Sequence, residues 1–151
     1  MITLQKIQEA QKRIAPFINY TPLVFSKYLS NNSKVKLKLE SLQITGSFKL
    51  RGAINKLLLL SENQKQKGVI AVSTGNHGKG VAYAANILGI KSTIFMSSMV
   101  PIFRKEAIEA LGAKVKIVGN NSDEADQYAR ELAKKENITL IHPFDDEEII
   151  A

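Results

Sequence analysis

The chain has 151 residues, 44% of them hydrophobic and 23% charged, the composition of one ordinary folded domain rather than a disordered chain. It has no cysteine, which excludes disulfides and thiolate metal sites, and no segment approaches the roughly 20 apolar residues of a membrane span, so a soluble, cytoplasmic protein is expected. The net charge of +7 is uneven: residues 1–105 carry +13 and residues 106–151 carry −6, and only 4 of the 21 cations are arginine, all dispersed, which favours solvated lysines and a small anionic ligand over nucleic acid.

In chain order, Leu4, Ile7, Ala10 and Ile14 predict a helix over 4–14, closed by Pro16. Residues 20–24 and the alternation of Val35, Leu37 and Leu39 with Lys34, Lys36 and Lys38 predict two short strands, the second with one wet face. The stretch ITGSFKLRGA, residues 44–53, predicts a helix capped by Ser47, with Lys49 and Arg51 in its first turn, where the macrodipole disfavours cations. The dipole and the like charge of Arg51 disfavour the ammonium form of Lys49, and desolvation by Phe48 and Leu50 would add to this. A neutral lysine is a nucleophile toward carbonyls, including pyridoxal phosphate. The alternative is a solvated lysine at a frayed helix start.

Beyond residue 60, short apolar runs at 69–72, 93–96, 115–118 and 138–141 alternate with helical patterns, which predicts a parallel sheet covered by helices. Gly89 and Gly112 each mark a helix end before a strand. Pro101 starts a helix to about Leu111, and Asn121 opens another with acids at its start and Arg130, Lys134 and Lys135 toward its end. Asp145 to Glu148 begin a further helix, and the pattern stops at Ala151 without a cap, which predicts that the natural chain continues.

Residues 69–89, VIAVSTGNHGKGVAYAANILG, read as strand, tight turn and helix, with Val81, Ala84, Ala85 and Leu88 facing inward. Backbone amides at such a helix start hold anions, and the carboxyl end of a parallel strand is where open α/β sheets bind ligands. Gly75, Gly78 and Gly80 have the wrong spacing for a dinucleotide fingerprint, and Gly78-Lys79 lacks the rest of a P-loop. An ordinary turn of small residues is the alternative. Because the only other histidine is His142, neither a metal site nor a triad is expected at His77, and a backbone contact is its expected role.

SFKLRGA followed by STGNHG closely resembles the signature of the fold-type II pyridoxal-phosphate enzymes, the family of threonine and serine dehydratases and serine racemase. Tyr20-Thr21-Pro22-Leu23, Glu40-Ser41-Leu42-Gln43, Ser47 to Ala53, Ser73 to Gly78, Leu111-Gly112-Ala113 and His142 to Asp146 fall in family order along nearly the whole chain. STGNHG together with MSSMVP is most similar to the dehydratases of hydroxyectoine use. The resemblance implies a small α/β domain over 46–151 and an N-terminal segment over 1–45 that belongs to a second, larger domain. It implies that Lys49 bears pyridoxal 5'-phosphate and shuttles the substrate α-proton, that Phe48 lies beside the ring and that Asn76 bonds its 3-hydroxyl. Ser73, Thr74, Gly75, Asn76 and His77 would hold the carboxylate of a small amino-acid substrate.

The reaction so implied is α,β-elimination from a hydroxy amino acid such as threonine or serine, giving a 2-keto acid and ammonia, in a parent enzyme expected to be a homo-oligomer. Thr74 stands where the racemases carry a second serine, which tells against racemisation. The family's phosphate loop and the partner of the pyridine nitrogen would lie beyond residue 151, so the chain alone is expected to be inactive. The rival reading is a non-catalytic module that binds an amino acid or a partner chain.

Overall fold

A computed structural model describes residues 1–31 and 33–151. Helix α1, Leu4–Ile14, starts where the Thr3 hydroxyl accepts the Lys6 amide at 3.2 Å. Ala10 and Ile14 are buried while Leu4 and Ile7 stay exposed, so only the C-terminal half of the predicted stripe meets the core. Strands β1, Leu23–Phe25, and β2, Lys36–Lys38, pair antiparallel with Val24 opposite Leu37. The hairpin stands off the core with every residue of both strands exposed, so the predicted division of β2 into a wet and a dry face is not seen.

Helix α2, Lys49–Leu58, begins one residue later than a Ser47 cap would dictate. Phe48 occupies the cap position with helical angles, and the Ser47 hydroxyl is buried without a hydrogen-bond partner. Lys49 is therefore the first residue of the helix, ahead of a stripe of Leu50, Ala53, Ile54 and Leu57 that sits at the centre of the core. The short polar helix α3, Glu62–Lys67, was not expected; the reciprocal bonds of Ser61 and Gln64 form a capping box that starts it.

The remaining strands are β3, Val69–Val72, β4, Ser92–Met96, β5, Lys114–Ile117, and β6, Thr139–Leu140. They form one parallel sheet in the order β5-β4-β3-β6, as the apolar runs predict. The connecting helices are α4, Asn76–Ile87, α5, Ile102–Glu109, and α6, Ser122–Glu136. Strand alternation divides the core: Ala71, Ile94 and Met96 pack with α2, α4 and α5, whereas Ile70 and Phe95 pack with Ala129 of α6. Gly89 and Gly112 have φ of +68° and +97°, in keeping with their predicted place at helix ends. Pro101 is the cap rather than the first residue of α5, which stops at Glu109, two residues before Leu111.

Helix α7, Glu147–Ile150, capped by Asp146, folds back on α2. Asn55, fully buried in α2, donates to the Glu148 carbonyl at 2.6 Å and accepts from the Arg13 guanidinium, tying α1, α2 and α7 together. Asn55→Ala strands both partners and should cost about 2–3 kcal/mol of stability, read by urea denaturation; a loss below about 0.5 kcal/mol would contradict this role. Among the described residues, no helix is long and apolar enough to cross a membrane.

Candidate active site

Helices α2 and α4 cross at Gly80, where an added Cβ would lie 3.2 Å from the backbone of both Lys49 and Leu50. This close approach seats Lys49 one helical turn, roughly 5 Å along the axis, from the start of α4 at Asn76. Gly80→Val should push α2 off α4, costing about 2 kcal/mol in urea denaturation. Unchanged stability would mean that the crossing is not tight.

The Lys49 side chain is partly buried. Its Nζ donates to the Pro143 carbonyl at 2.6 Å and lies 5.2 Å from the centroid of the Phe48 ring. Among the described residues it has no carboxylate partner, and a cavity of about 400 Å³ lined by Phe48, Lys49, Gly52, Pro143, Phe144 and Ile149 opens beside it. Arg51 lines the same cavity. Its guanidinium is committed to Glu40, with Nε and Nη2 donating at 2.8 and 2.7 Å. Arg51 and the Thr21 hydroxyl in turn hold the Glu40 carboxyl below the usual carboxylate range. A carbonyl and an aromatic face, rather than a second cation, surround the lysine nitrogen.

The loop 73–77 connects β3 to α4. The Ser73 Oγ accepts the Gly75 amide at 3.2 Å and the Gly78 amide at 2.8 Å, so these two groups are turned inward and spent on folding the loop. The amides of Thr74, Asn76 and His77 have no partner among the described residues and are the groups left for an anion. Thr74 and Asn76 are exposed, and Arg104 of α5 donates to the Thr74 carbonyl at 3.1 Å.

The His77 side chain turns the other way. It is 5% exposed, and its Nε2 donates to the Ile141 carbonyl at 2.9 Å, fastening α4 to the end of β6. Burial, helped by the nearby charges of Lys49 and His142 and opposed by that hydrogen bond, brings its pKa down to about 4, so the ring is neutral at pH 7. The sequence suggests only a backbone contact for His77; its place in the first turn of a helix flanked by small residues is the signal for a buried side chain.

A second cavity, of about 380 Å³, is lined by Ser73, Thr74, Asp126, Arg130 and His142, and it shares Pro143 and Phe144 with the Lys49 cavity. Lys49 and the loop 73–77 thus both adjoin residues 142–145, a segment the resemblance includes but whose contacts with them no local spacing indicates. No group of three or more His, Cys, Asp or Glu among the described residues is placed to hold a metal ion.

A lysine amine and a set of unpaired helix-start amides lie by neighbouring cavities that share Pro143 and Phe144, an arrangement whose chemistry suits a carbonyl-reactive, anionic ligand. Over residues 14–151 the chain matches the model of the pyridoxal-phosphate dependent enzymes and belongs to that family. It is 48% identical to the catabolic L-threonine dehydratase TdcB of Staphylococcus aureus strain N315, with 100% of this chain covering 44% of that protein. Among solved structures it is similar to threonine deaminase isoform 2 of Solanum lycopersicum, with a TM-score of 0.90 and 36% identity over 97% of this chain and 41% of that one. Serine racemase of Dictyostelium discoideum is similar as well, with a TM-score of 0.89 and 34% identity over 99% of this chain and 49% of that one. The chain thus spans less than half the length of the curated relatives it matches.

Proposed function

We propose that the chain carries the amine and the carboxylate loop of a pyridoxal-phosphate-dependent dehydratase. The reaction converts a hydroxy amino acid such as threonine or serine to a 2-keto acid and ammonia by α,β-elimination. The observation that carries this reading is Lys49: a partly buried amine with no carboxylate partner among the described residues, at the start of α2 and against α4 one turn from its start. The 48% identity to a threonine dehydratase supports the elimination over other family reactions.

The residues present fit the cofactor in chemical kind. Lys49 offers an amine to its aldehyde and Phe48 an aromatic face to its ring, and the Asn76 side chain, which has no hydrogen bond among the described residues, suits its 3-hydroxyl. For its phosphate the Lys49 cavity holds no free side-chain cation beyond Lys49 itself, since Arg51 is bonded to Glu40. When bound, pyridoxal phosphate supplies an electron sink for negative charge at the substrate Cα. Lys49 Nζ takes the Cα proton. The amides of Thr74, Asn76 and His77 hold the substrate carboxylate, with the Ser73 O–H free to donate because its oxygen already accepts two amides. His77 keeps the loop in register with β6 through Ile141. We extend the proposal to the division of the chain, with residues 1–45 part of a second domain and 46–151 the small domain; the exposed hairpin of β1 and β2 supports it.

The test of the substrate class is reduction with borohydride in the presence of pyridoxal phosphate and L-threonine or L-serine. The amino acid should divert label from Lys49 onto itself, whereas label that stays on Lys49 at saturating amino acid would sink the reading. D-isomer produced from the L-amino acid would instead favour a racemase, which Thr74 tells against.

A further inference from the structure

We propose that His142 is a positioning residue for Lys49: its ring folds the turn that holds the Pro143 carbonyl against the lysine amine. The proposal rests on the reading of Lys49 as the reactive amine, but its geometry stands separately.

His142 Nδ1 accepts the Asp145 amide at 2.8 Å and the Phe144 amide at 3.3 Å, two and three residues ahead of it. The same pattern recurs where Asn121 Oδ1 accepts the amides of Asp123 and Glu124 at 3.0 and 2.9 Å to start α6. Both accepted bonds at His142 require a lone pair on Nδ1, so the proton of the neutral ring belongs on Nε2. The ring also meets that of Phe144 edge to face, with centroids 4.7 Å apart.

Between His142 and the amides it gathers lies Pro143, which has no N–H and a φ fixed by its ring. Its carbonyl is its only hydrogen-bonding group, and that carbonyl accepts from Lys49 Nζ at 2.6 Å. The turn is anchored at both ends. Upstream, the Ile141 amide bonds the Ile70 carbonyl at 2.8 Å and the Ile141 carbonyl takes His77. Downstream, Asp146 pairs with Lys56 at 2.7 Å. Within the turn itself, His142 is the side chain whose bonds set where Pro143 points. Lys49 must leave the Pro143 carbonyl to react, so the His142 turn sets how readily the amine is released.

Competitive acetylation with trace acetic anhydride, read for each lysine by mass spectrometry with Lys79 and Lys91 as internal standards, measures this directly and needs no cofactor. In His142→Ala and His142→Gln, the relative rate at Lys49 should rise about fivefold, the scale of one ordinary hydrogen bond lost. In His142→Asn, whose Oδ1 can accept the same two amides as Asn121 does, it should stay within about twofold of wild type. No rise at Lys49 in the Ala and Gln variants, or an equal rise in the Asn variant, would overturn the proposal. On the wild-type chain, a long-range proton–nitrogen spectrum should show His142 with Nδ1 bare and Nε2 protonated, and the opposite tautomer would overturn it without any variant. Failure of wild-type Lys49 to take up pyridoxal phosphate would contradict the proposed function, while the acetylation profile would still decide the role of His142.

Discussion

In Lys49→Ala, borohydride reduction of the chain with pyridoxal phosphate should lose its label at residue 49, and selective incorporation should fall at least about tenfold, to the background of the exposed lysines. Lys49→Arg is the sharper control. A guanidinium keeps the charge and can still donate to the Pro143 carbonyl, yet it does not condense with an aldehyde under these conditions. Both variants should remain folded, because the contact removed is one partly buried hydrogen bond, about 1 kcal/mol in urea denaturation. Incorporation that survives in Lys49→Arg would show that another amine reacts.

Stability should fall as pH is lowered from 7 toward 4, and His77 should be the main cause. Its pKa is about 4 in the folded chain against an ordinary 6.5, so between these values the unfolded chain binds a proton that the native chain refuses. Binding to the unfolded state alone destabilises the fold as pH drops, by up to about 3 kcal/mol across the window. Below about 4 the native ring takes the proton too, and its contribution to the slope ends. The Glu40 carboxyl, lowered by Arg51, adds stability that is present above the ordinary carboxylate value and lost as pH falls through its folded value, so it acts at the acid end of the same range. In His77→Gln, an amide can still donate to the Ile141 carbonyl but does not titrate, so the slope between pH 6.5 and 4.5 should flatten. Urea midpoints measured at several pH values decide this; an unchanged slope in the variant would assign the loss to other groups.

The sheet was legible because its central strands β3 and β4 pack between two layers of helices, leaving the apolar runs 69–72 and 93–96 with glycine-ended helices between the strands. Asn121 and the run Asp145 to Glu148 were legible as helix starts because a cap is a local event, settled within three residues. Ser47 misled for the same reason. Its residue type invites a cap, but the hydroxyl is drawn inside, and the helix begins after Phe48. The short polar α3 carries no apolar period to announce it.

The candidate site was half legible. Lys49 and residues 73–77 stood out by composition and order, whereas the groups that orient them come from far along the chain. Pro143 reaches Lys49 across 94 positions, and Ile141 meets His77 across 64. Glu40 pairs with Arg51, a partner that the spacing of neighbouring cations does not reveal. Such contacts are tertiary, and no local pattern encodes them.

On the proposed function, Lys49 is the amine this fold holds for pyridoxal phosphate. The most direct test is to incubate the wild-type chain with the cofactor, reduce with borohydride and map the adduct by peptide mass. Label should concentrate on Lys49, approaching one per chain. Label spread evenly over the surface lysines, with Lys49 no richer than Lys79 or Lys91, would contradict it.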